Sequence, residues 1–194
     1  LLMELSNSKG LLNRTILSLY EDDLGNLWVG QNNGISYVEL GSPFTHVNEQ
    51  SGLPGTGYAA LLQGSVLYLG TNNGLYVKNL NQPLLPATLV EGTRGQVYHI
   101  DKYDDELLMG HHTGAYRIRG LKGEKISEEP GAWVFAKLPS NPDVLIGGLY
   151  NGLQVFEKVN NSWKKRRTLP GFPESSRVME FDKDGALWVT HGYK

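Results

Sequence analysis

One eight-residue segment recurs along this chain at an almost constant spacing, and this repeat constrains the fold more than any other feature. The copies are LWVGQNNG at 27–34, LYLGTNNG at 67–74, LLMGHHTG at 107–114, LIGGLYNG at 145–152 and LWVTHGYK at 187–194. The glycines that close the first four copies are 40, 40 and 38 residues apart. A fixed period of this length indicates similar structural units that bury their apolar faces against one another.

Each copy lies between runs of residues that favour β-strands. The upstream runs are 15–20, 58–62, 97–100, 133–137 and 177–181. The downstream runs are 35–38, 75–77, 115–118 and 153–156, and a more polar fourth run follows at 44–47, 88–90 and 163–169 and, weakly, at 124–126. The turns between the runs are rich in Asp, Asn and Gly, which suit hairpins because Asp and Asn bond nearby backbone and Gly accepts positive φ.

The pattern predicts an all-β chain of four-stranded antiparallel blades, the architecture of a β-propeller. A β-sandwich also has many short strands, but it does not explain the constant period. We expect one propeller segment over 1–194, with repeats at about 14–50, 57–92, 96–127 and 132–170 and an incomplete repeat at 176–194.

The number of blades has two interpretations. Residues 1–5 are predicted to form the outer strand of a preceding blade, which gives about four complete blades plus parts of two. The chain is then either an arc cut from a larger ring of about six to eight blades or a closed ring of five. We favour the arc, and we expect the sequence to be a piece of a longer polypeptide.

A large side chain and two glycines mark fixed positions within the repeat. The large position holds Trp28, Tyr68, Leu108, either Leu145 or Ile146, and Trp188. We expect this side chain to be buried between neighbouring blades, so that Trp28→Ala would cost about 3–5 kcal/mol if the site is fully buried. The glycines allow close backbone approach and tight turns; they are Gly30, Gly34, Gly70, Gly74, Gly110, Gly114 and Gly152.

Composition narrows the class of protein. The chain has 194 residues, a net charge of -2 and no cysteine. Disulfides and Cys-ligated metal are therefore excluded, and the charge gives no sign of a nucleic-acid partner. No apolar run reaches the roughly 18 residues that span a bilayer. We predict neither a cofactor nor a metal.

The stretch Glu21-Asp22-Asp23-Leu24-Gly25-Asn26-Leu27-Trp28-Val29-Gly30, followed by Gly34-Ile35, resembles the two-component regulator propeller repeat. The linker Ser51-Gly52-Leu53-Pro54 also resembles that family's connector, whereas the third and fourth repeats depart from the pattern. The resemblance implies a periplasmic sensor region of Bacteroidetes hybrid histidine kinases or related triple-tyrosine-domain transcriptional regulators. In such proteins the kinase or DNA-binding output lies elsewhere in the polypeptide, and the hybrid kinases commonly sense glycan fragments.

The sequence contains no recognisable catalytic constellation. Adjacent residues of a strand point to opposite sides, so His111 and His112 are expected to be poor ligands for one metal. The carboxylates of the first hairpin turn of several repeats are expected to be structural; they are Asp22, Asp23, Asp104, Asp105, Asp182 and Asp184. The basic run 164–167 is expected on an outer strand, where charge prevents pairing with other sheets.

Ligands of propellers bind on the rim formed by the loops between blades and the loops joining second and third strands. The residues placed there are Arg14, Tyr58, Tyr98, His111, Trp133, Tyr150, Arg177 and His191. Their aromatic rings and arginines suit an oligosaccharide, acidic or neutral.

Three functions remain open from the residues themselves. The first is a ligand-sensing domain that contacts adjacent domains of its own polypeptide. The second is an interaction or dimerisation scaffold, such as a homodimer, with no small ligand. The third, a carbohydrate-active enzyme, needs two carboxylates about 5–10 Å apart at the channel. No such pair can be placed there, so we expect a binding protein.

Overall fold

The computed structural model describes residues 5–7, 10–42, 44, 47–49 and 52–190. The secondary-structure elements bounded in this part of the chain are seventeen β-strands, which confirms the all-β prediction. The proposed outer strand at 1–5 and the proposed fourth strand at 44–47 lie largely outside the described residues, and so does His191.

The strands form five antiparallel sheets, which we call blades 1 to 5 in chain order. Blade 1 contains β1 (Ile16–Glu21), β2 (Leu27–Gln31) and β3 (Gly34–Val38). Blade 2 contains β4 (Gly57–Gln63), β5 (Val66–Thr71), β6 (Gly74–Asn79) and β7 (Thr88–Leu89). Blade 3 contains β8 (Val97–Tyr103), β9 (Glu106–His111), β10 (Gly114–Arg119) and β11 (Lys122–Ser127). Blade 4 contains β12 (Val134–Lys137), β13 (Val144–Gly148), β14 (Leu153–Val159) and β15 (Ser162–Leu169), and blade 5 contains β16 (Val178–Phe181) and β17 (Leu187–Thr190).

Each blade is a simple meander in which consecutive strands pair, so the first strand of every complete blade is one edge and the fourth is the other. Blades 2, 3 and 4 have the four strands that the repeat predicted. The fourth strand of blade 3, expected to be weak, is a full six residues long. Its polar composition is that of an outer strand: it pairs with β10 along its length and meets Glu91, just after blade 2, at one parallel bridge through Lys122.

The chain divides into two compact units, 1–53 and 54–194. The first unit contains blade 1. There Val29 is buried, and Ser36 donates a hydrogen bond of 2.6 Å to the side-chain oxygen of buried Gln31. The second unit contains blades 2 to 5.

In the second unit, three apolar cores each join two successive blades. Tyr68 and Leu75 of blade 2 pack with Ile100 and Met109 of blade 3. A second core joins blades 3 and 4, and a third joins blades 4 and 5. Successive blades packed face to face in this way form an arc of a β-propeller.

The second strand of blade 3 shows why both faces of a blade must be apolar. Leu107 and Met109 belong to the core with blade 2, whereas Leu108 belongs to the core with blade 4. Side chains alternate across a strand, so a blade between two others needs an apolar residue at every position of this strand. This requirement explains the continuous apolar run at 107–109.

A buried polar contact also joins blades 3 and 4. The Glu106 carboxylate lies 2.6 Å from Arg117 Nε and accepts hydrogen bonds from the Trp163 backbone N–H and the Ser162 hydroxyl. Arg117 in turn donates to the Trp163 carbonyl at 2.7 Å. The buried charges are therefore paired and hydrogen-bonded, as burial requires.

The first hairpin turn of blade 3 carries a second inter-blade contact. Asp104 accepts from Lys137 at 2.6 Å and from Lys158 at 2.9 Å, both on blade 4. This carboxylate is structural, as expected, but it links two blades in addition to sitting in its turn. The lysines hold the pKa of Asp104 below its ordinary value.

The prediction that Trp28 and Trp188 are buried between blades is wrong for the described chain, because these side chains are 42% and 68% exposed. The same position is buried at Tyr68, Leu108 and Ile146. Ile146, not Leu145, occupies it, because Ile146 pairs with Val155 as Leu108 pairs with Arg117.

Exposure of a tryptophan depends on whether another sheet covers its face. Leu187 and Val189 pack against blade 4, whereas Trp188 lies on the other face of the strand, which is open in the described part of the chain. The fully buried condition for the expected cost of Trp28→Ala is therefore not met either.

Candidate functional site

The first strands of blades 2 to 5, which we call the inner strands, each contain or directly follow one side chain at the same structural position. In β4 and β8 the pairing register shifts between 57 and 59 and between 97 and 99, which leaves Tyr58 and Tyr98 as extra residues of β-bulges. Trp133 and Arg177 come directly before the first paired residues of β12 and β16. Bulges redirect a side chain and are frequent beside functional sites.

A glycine in the second strand of the preceding blade lies in close contact with the residue just before three of these positions. A Cβ added to Gly70, Gly110 or Gly148 would lie 2.7, 2.5 or 2.2 Å from an atom of Val97, Ala132 or Ser176, respectively. Val97, Ala132 and Ser176 are buried, and each is followed directly by a residue of the candidate site. The close approach of blades at the glycine thus fixes where Tyr98, Trp133 and Arg177 project.

Together these positions line an open concavity of about 720 Å³. Its lining residues are Tyr58, Gln96, Tyr98, Trp133, Tyr150, Ser175 and Arg177. This volume is within the range of small-molecule sites. No carboxylate is among these described lining residues, so the site offers aromatic rings, hydrogen-bonding groups and one positive charge.

The aromatic rings form one connected cluster. The rings of Tyr98 and Trp133 are 4.0 Å apart between centroids with a 32° tilt. Tyr150 meets Trp133 at 5.3 Å, and Tyr58 meets Tyr98 edge-on at 5.9 Å. Tyr58 is 51% exposed, whereas Tyr98, Trp133 and Tyr150 are partly buried. A flat apolar ligand surface would find its most accessible partner there.

Arg177 is held against the same cluster. Its guanidinium carbon lies 4.6 Å from the Trp133 ring centroid, a cation–π contact. Trp133 is further fixed because its indole N–H donates to Ser175 Oγ at 3.2 Å. The position of the positive charge is therefore set by an aromatic ring that has its own hydrogen bond.

A short hydrogen-bonded chain connects Gln96, Tyr98 and Tyr150. The Tyr98 hydroxyl donates to Gln96 Oε1 at 2.5 Å, and it lies 2.5 Å from the Tyr150 hydroxyl. Burial, together with the bond to Tyr150, raises the pKa of Tyr98 above its ordinary value. Tyr98 is therefore a neutral phenol at physiological pH.

Sequence reasoning placed Tyr58, Tyr98, Trp133, Tyr150 and Arg177 on the rim, and the structure brings these five together. Ligand binding by them stays a prediction. The sequence reasoning missed Gln96 and Ser175. A signal for both exists, since each stands two residues before a lining residue of the inner-strand series, Tyr98 or Arg177.

Two other candidates do not line this concavity. His111 is 1% exposed, and its Nδ1 bonds to Thr113 at the turn of its own blade. Burial lowers the pKa of His111 to about 4, so it is neutral at physiological pH. Arg14 is exposed just before β1, in the first unit. His191 lies outside the described residues.

The two adjacent histidines also differ from expectation. Their rings do not diverge but lie 4.4 Å apart between centroids. The reason is the turn that begins there, where the His112 Nδ1 accepts a hydrogen bond from the Gln96 backbone. No group of three or more potential metal ligands occurs among the described residues.

The basic run 164–167 lies in β15, the outer edge of blade 4, and is exposed. Lys165 pairs with Glu129, and Arg166 lies 3.3 Å from Glu157. Edge-strand charge of this kind discourages pairing with other sheets. No helix in the described part of the chain has the length and apolar character to cross a bilayer.

Comparison with known proteins gives one family and a set of related folds. Residues 10–33 match the family model of the two component regulator propeller. No curated protein matches the chain.

Two crystal structures from B. thetaiotaomicron resemble this fold. Both are of the extracellular domain of BT4673, described in one as a putative one component system and in the other as a putative hybrid two component system. Each is 20% identical, with a TM-score of 0.54, over 92% of this chain and 25% of that chain. The chain therefore spans a quarter of the length of these structures, and at this identity the likeness shows the fold. Residues 10–33 therefore match the two component regulator propeller repeat, and the fold of the described chain is that of a β-propeller segment.

Proposed function

We propose that this chain is part of an extracytoplasmic sensor in a bacterial signal-transduction protein. In this proposal the aromatic concavity binds glycan fragments, and a kinase or DNA-binding output outside this chain receives the signal. The observation that carries the proposal is the convergence of Tyr58, Tyr98, Trp133, Tyr150 and Arg177 on one open site from successive blades.

The chemistry of the site supports a sugar ligand. The C–H faces of pyranose rings stack on aromatic side chains, and their hydroxyls need hydrogen-bonding partners. The exposed Tyr58 ring offers the first, and Gln96, Tyr150 and Ser175 offer the second. A micromolar affinity corresponds to about -8 kcal/mol, which a few such contacts can supply.

Two further observations support a role in sensing. The family model that matches residues 10–33 describes the propeller of two component regulators. The similar structures are extracellular domains of a putative one component system or hybrid two component system. The chains in these structures are four times as long as the region that aligns with this chain. A sensor binds its ligand without converting it, and the described lining residues supply no pair of carboxylates of the kind that hydrolyses glycosides.

Calorimetry of the purified chain against a panel of neutral and acidic oligosaccharides tests the proposal. We expect micromolar binding of at least one glycan, with no new products when the incubated sugar is separated by chromatography. Tyr58→Ala should weaken binding roughly tenfold through loss of the stacking ring. Tyr20→Ala, at an exposed tyrosine outside the concavity, is the matched control and should leave affinity unchanged. Failure of every glycan to bind would refute the proposal.

An interaction scaffold is the alternative, and one observation favours it. All six residues of β1 are exposed, and Ile16, Leu17, Leu19 and Tyr20 give this strand a largely apolar surface. Exposed apolar patches are frequent at protein interfaces. If this surface pairs two copies, light scattering will show a dimer that Leu19→Lys converts to a monomer.

A further inference from the structure

The hydrogen-bonding groups of the candidate site are unequally divided between donors and acceptors. The single hydroxyl proton of Tyr98 goes to Gln96 Oε1, so Tyr150 is the donor in its bond with Tyr98. Gln96 Oε1 is thereby occupied, and the amide of Gln96 is left with its two N–H donors. The hydroxyl protons of Tyr98 and Tyr150 and the carbonyl oxygen of Gln96 are thus committed before any ligand arrives.

The other end of the site is richer in donors. Ser175 Oγ already accepts from the Trp133 indole, which leaves its own O–H to donate. Arg177 contributes guanidinium N–H groups that can only donate. Among the described residues, no carboxylate lies within ion-pair distance of Arg177, so its charge is uncompensated by the part of the protein that the structure describes.

The contact with Trp133 leaves the guanidinium suited to an anion. A guanidinium carbon that lies over an aromatic ring does not use its N–H groups in that contact, and these groups match two oxygens of a carboxylate or sulfate. Trp133 also contacts Tyr98 and Tyr150, so its ring is largely engaged within the cluster. Trp133 therefore acts as a support that positions Arg177, and Tyr58 at the other end is the accessible stacking ring.

We propose that the site selects oligosaccharides carrying an acidic sugar, with its carboxylate or sulfate bound by Arg177 and Ser175 and a neighbouring ring stacked on Tyr58. This inference rests on the proposed glycan-binding function and narrows it to one chemical class. Arg177 is then the specificity-determining residue, and Tyr58 contributes to all sugars alike.

The test compares sugars that differ only in charge. Calorimetry of the purified chain is run with a set of uronate-containing disaccharides, each paired with its own methyl ester, and with sulfated disaccharides paired with their unsulfated forms. We expect the anionic member of one pair to bind about tenfold more tightly, a difference that 0.5 M salt reduces. Whether the carboxylate or the sulfate pair shows the difference identifies the anion.

Variants assign the effect to the residue. Arg177→Gln should remove the preference for the anion while retaining binding of the uncharged member, and Arg177→Lys should restore only part of it. Arg166→Gln, at an exposed arginine on the outer edge of blade 4, is the control and should keep the full preference. Thermal unfolding of each variant separates a change of affinity from a change of folding.

The outcomes separate the two proposals. Equal affinity for charged and uncharged members, or a preference that survives Arg177→Gln, overturns the acidic-sugar inference and leaves glycan binding intact. Binding of neutral sugars alone has the same consequence. Binding of none of these sugars overturns both.

Discussion

At the scale of single residues, the aspartate of the first hairpin turn does more than favour the turn. Asp22 accepts from the backbone N–H groups of Leu24 and Asn26 with one oxygen and from the Trp28 indole with the other. Asp182 repeats the arrangement with Asp184, Ala186 and Trp188. The carboxylate thus closes the turn and holds the tryptophan six residues later, which explains why Asp and Trp recur together at this spacing.

This arrangement predicts a pH-dependent stabilisation. The bonds from Asn26 and Trp28 lower the pKa of Asp22 in the folded state below its ordinary value of 3.8. The stabilisation is therefore complete above pH 3.8 and is lost as the pH falls through the lower folded value. Asp22→Asn should lower the urea midpoint at pH 7, and the difference from the parent should shrink below pH 3.8.

The neighbouring residue provides the control for that experiment. Asp23→Asn changes the same charge in the same turn, but none of the hydrogen bonds described for the turn involves the Asp23 side chain. It should leave the midpoint nearly unchanged at both pH values. An equal loss in both variants would show that net charge, and not the turn contacts, is responsible.

The exposure difference at the repeat's large position gives a second prediction. Leu108→Ala removes a fully buried side chain and should cost about 2–5 kcal/mol in the free energy of unfolding. Trp188→Ala removes a ring that is 68% exposed and should cost clearly less, mainly through loss of the exposed hydrogen bond to Asp182. Urea denaturation of both variants measures the two costs. A larger cost for Trp188→Ala would mean that another surface covers this tryptophan.

At the scale of elements, one glycine couples blade packing to the candidate site. A Cβ at Gly110 would lie 2.5 Å from the Ala132 carbonyl oxygen, directly before Trp133. The second strand of blade 3 therefore determines the position of the inner strand of blade 4. The contact between Gly110 and Ala132 therefore sets both the packing of blades 3 and 4 and the position of Trp133 in the candidate site.

Gly110→Ala should consequently destabilise the chain by about 1–3 kcal/mol, since the neighbouring backbone must move. Ligand affinity should fall as well, because Trp133 and Arg177 are displaced. Gly57→Ala is the matched control: it also lies in a strand, and a Cβ there meets nothing within 4 Å. If the two variants unfold at the same denaturant concentration, the proposed close approach is incorrect.

At the scale of the whole molecule, stability is distributed over nearest-neighbour contacts between blades. The three apolar cores and all seven lining residues of the candidate site lie within residues 54–194. In repeat architectures each unit contacts mainly its neighbours, so loss of a terminal unit need not unfold the rest.

Removal of residues 1–53 should therefore leave a folded β-protein. We expect a β-type far-ultraviolet circular dichroism spectrum, a cooperative unfolding transition and an unchanged ligand affinity. The truncation removes Arg14, which the sequence predicted to bind ligand. A weaker affinity in a well-folded product would therefore support a role for Arg14 in ligand binding. An unfolded product would contradict the expectation that the compact unit 54–194 folds without residues 1–53.

The sequence by itself determined the blades, because the period, the turn residues and the apolar runs are local properties that each repeat carries. It also placed five of the seven lining residues on one rim, since equivalent positions of a repeat project to equivalent places. Gln96 and Ser175 were missed because polar residues are ordinary in linkers, and only their shared position two residues before Tyr98 and Arg177 distinguishes them.

Burial was decided only by the tertiary structure. The same position of the repeat is exposed at Trp28 and Trp188 and buried at Tyr68, Leu108 and Ile146. The donor-rich character of the candidate site likewise arises from hydrogen bonds between blades, such as those of Tyr98 with Tyr150 and Trp133 with Ser175. A repeat fixes which face of a strand a side chain takes, whereas the packing of neighbouring sheets determines whether that face is covered and which partners its polar atoms meet.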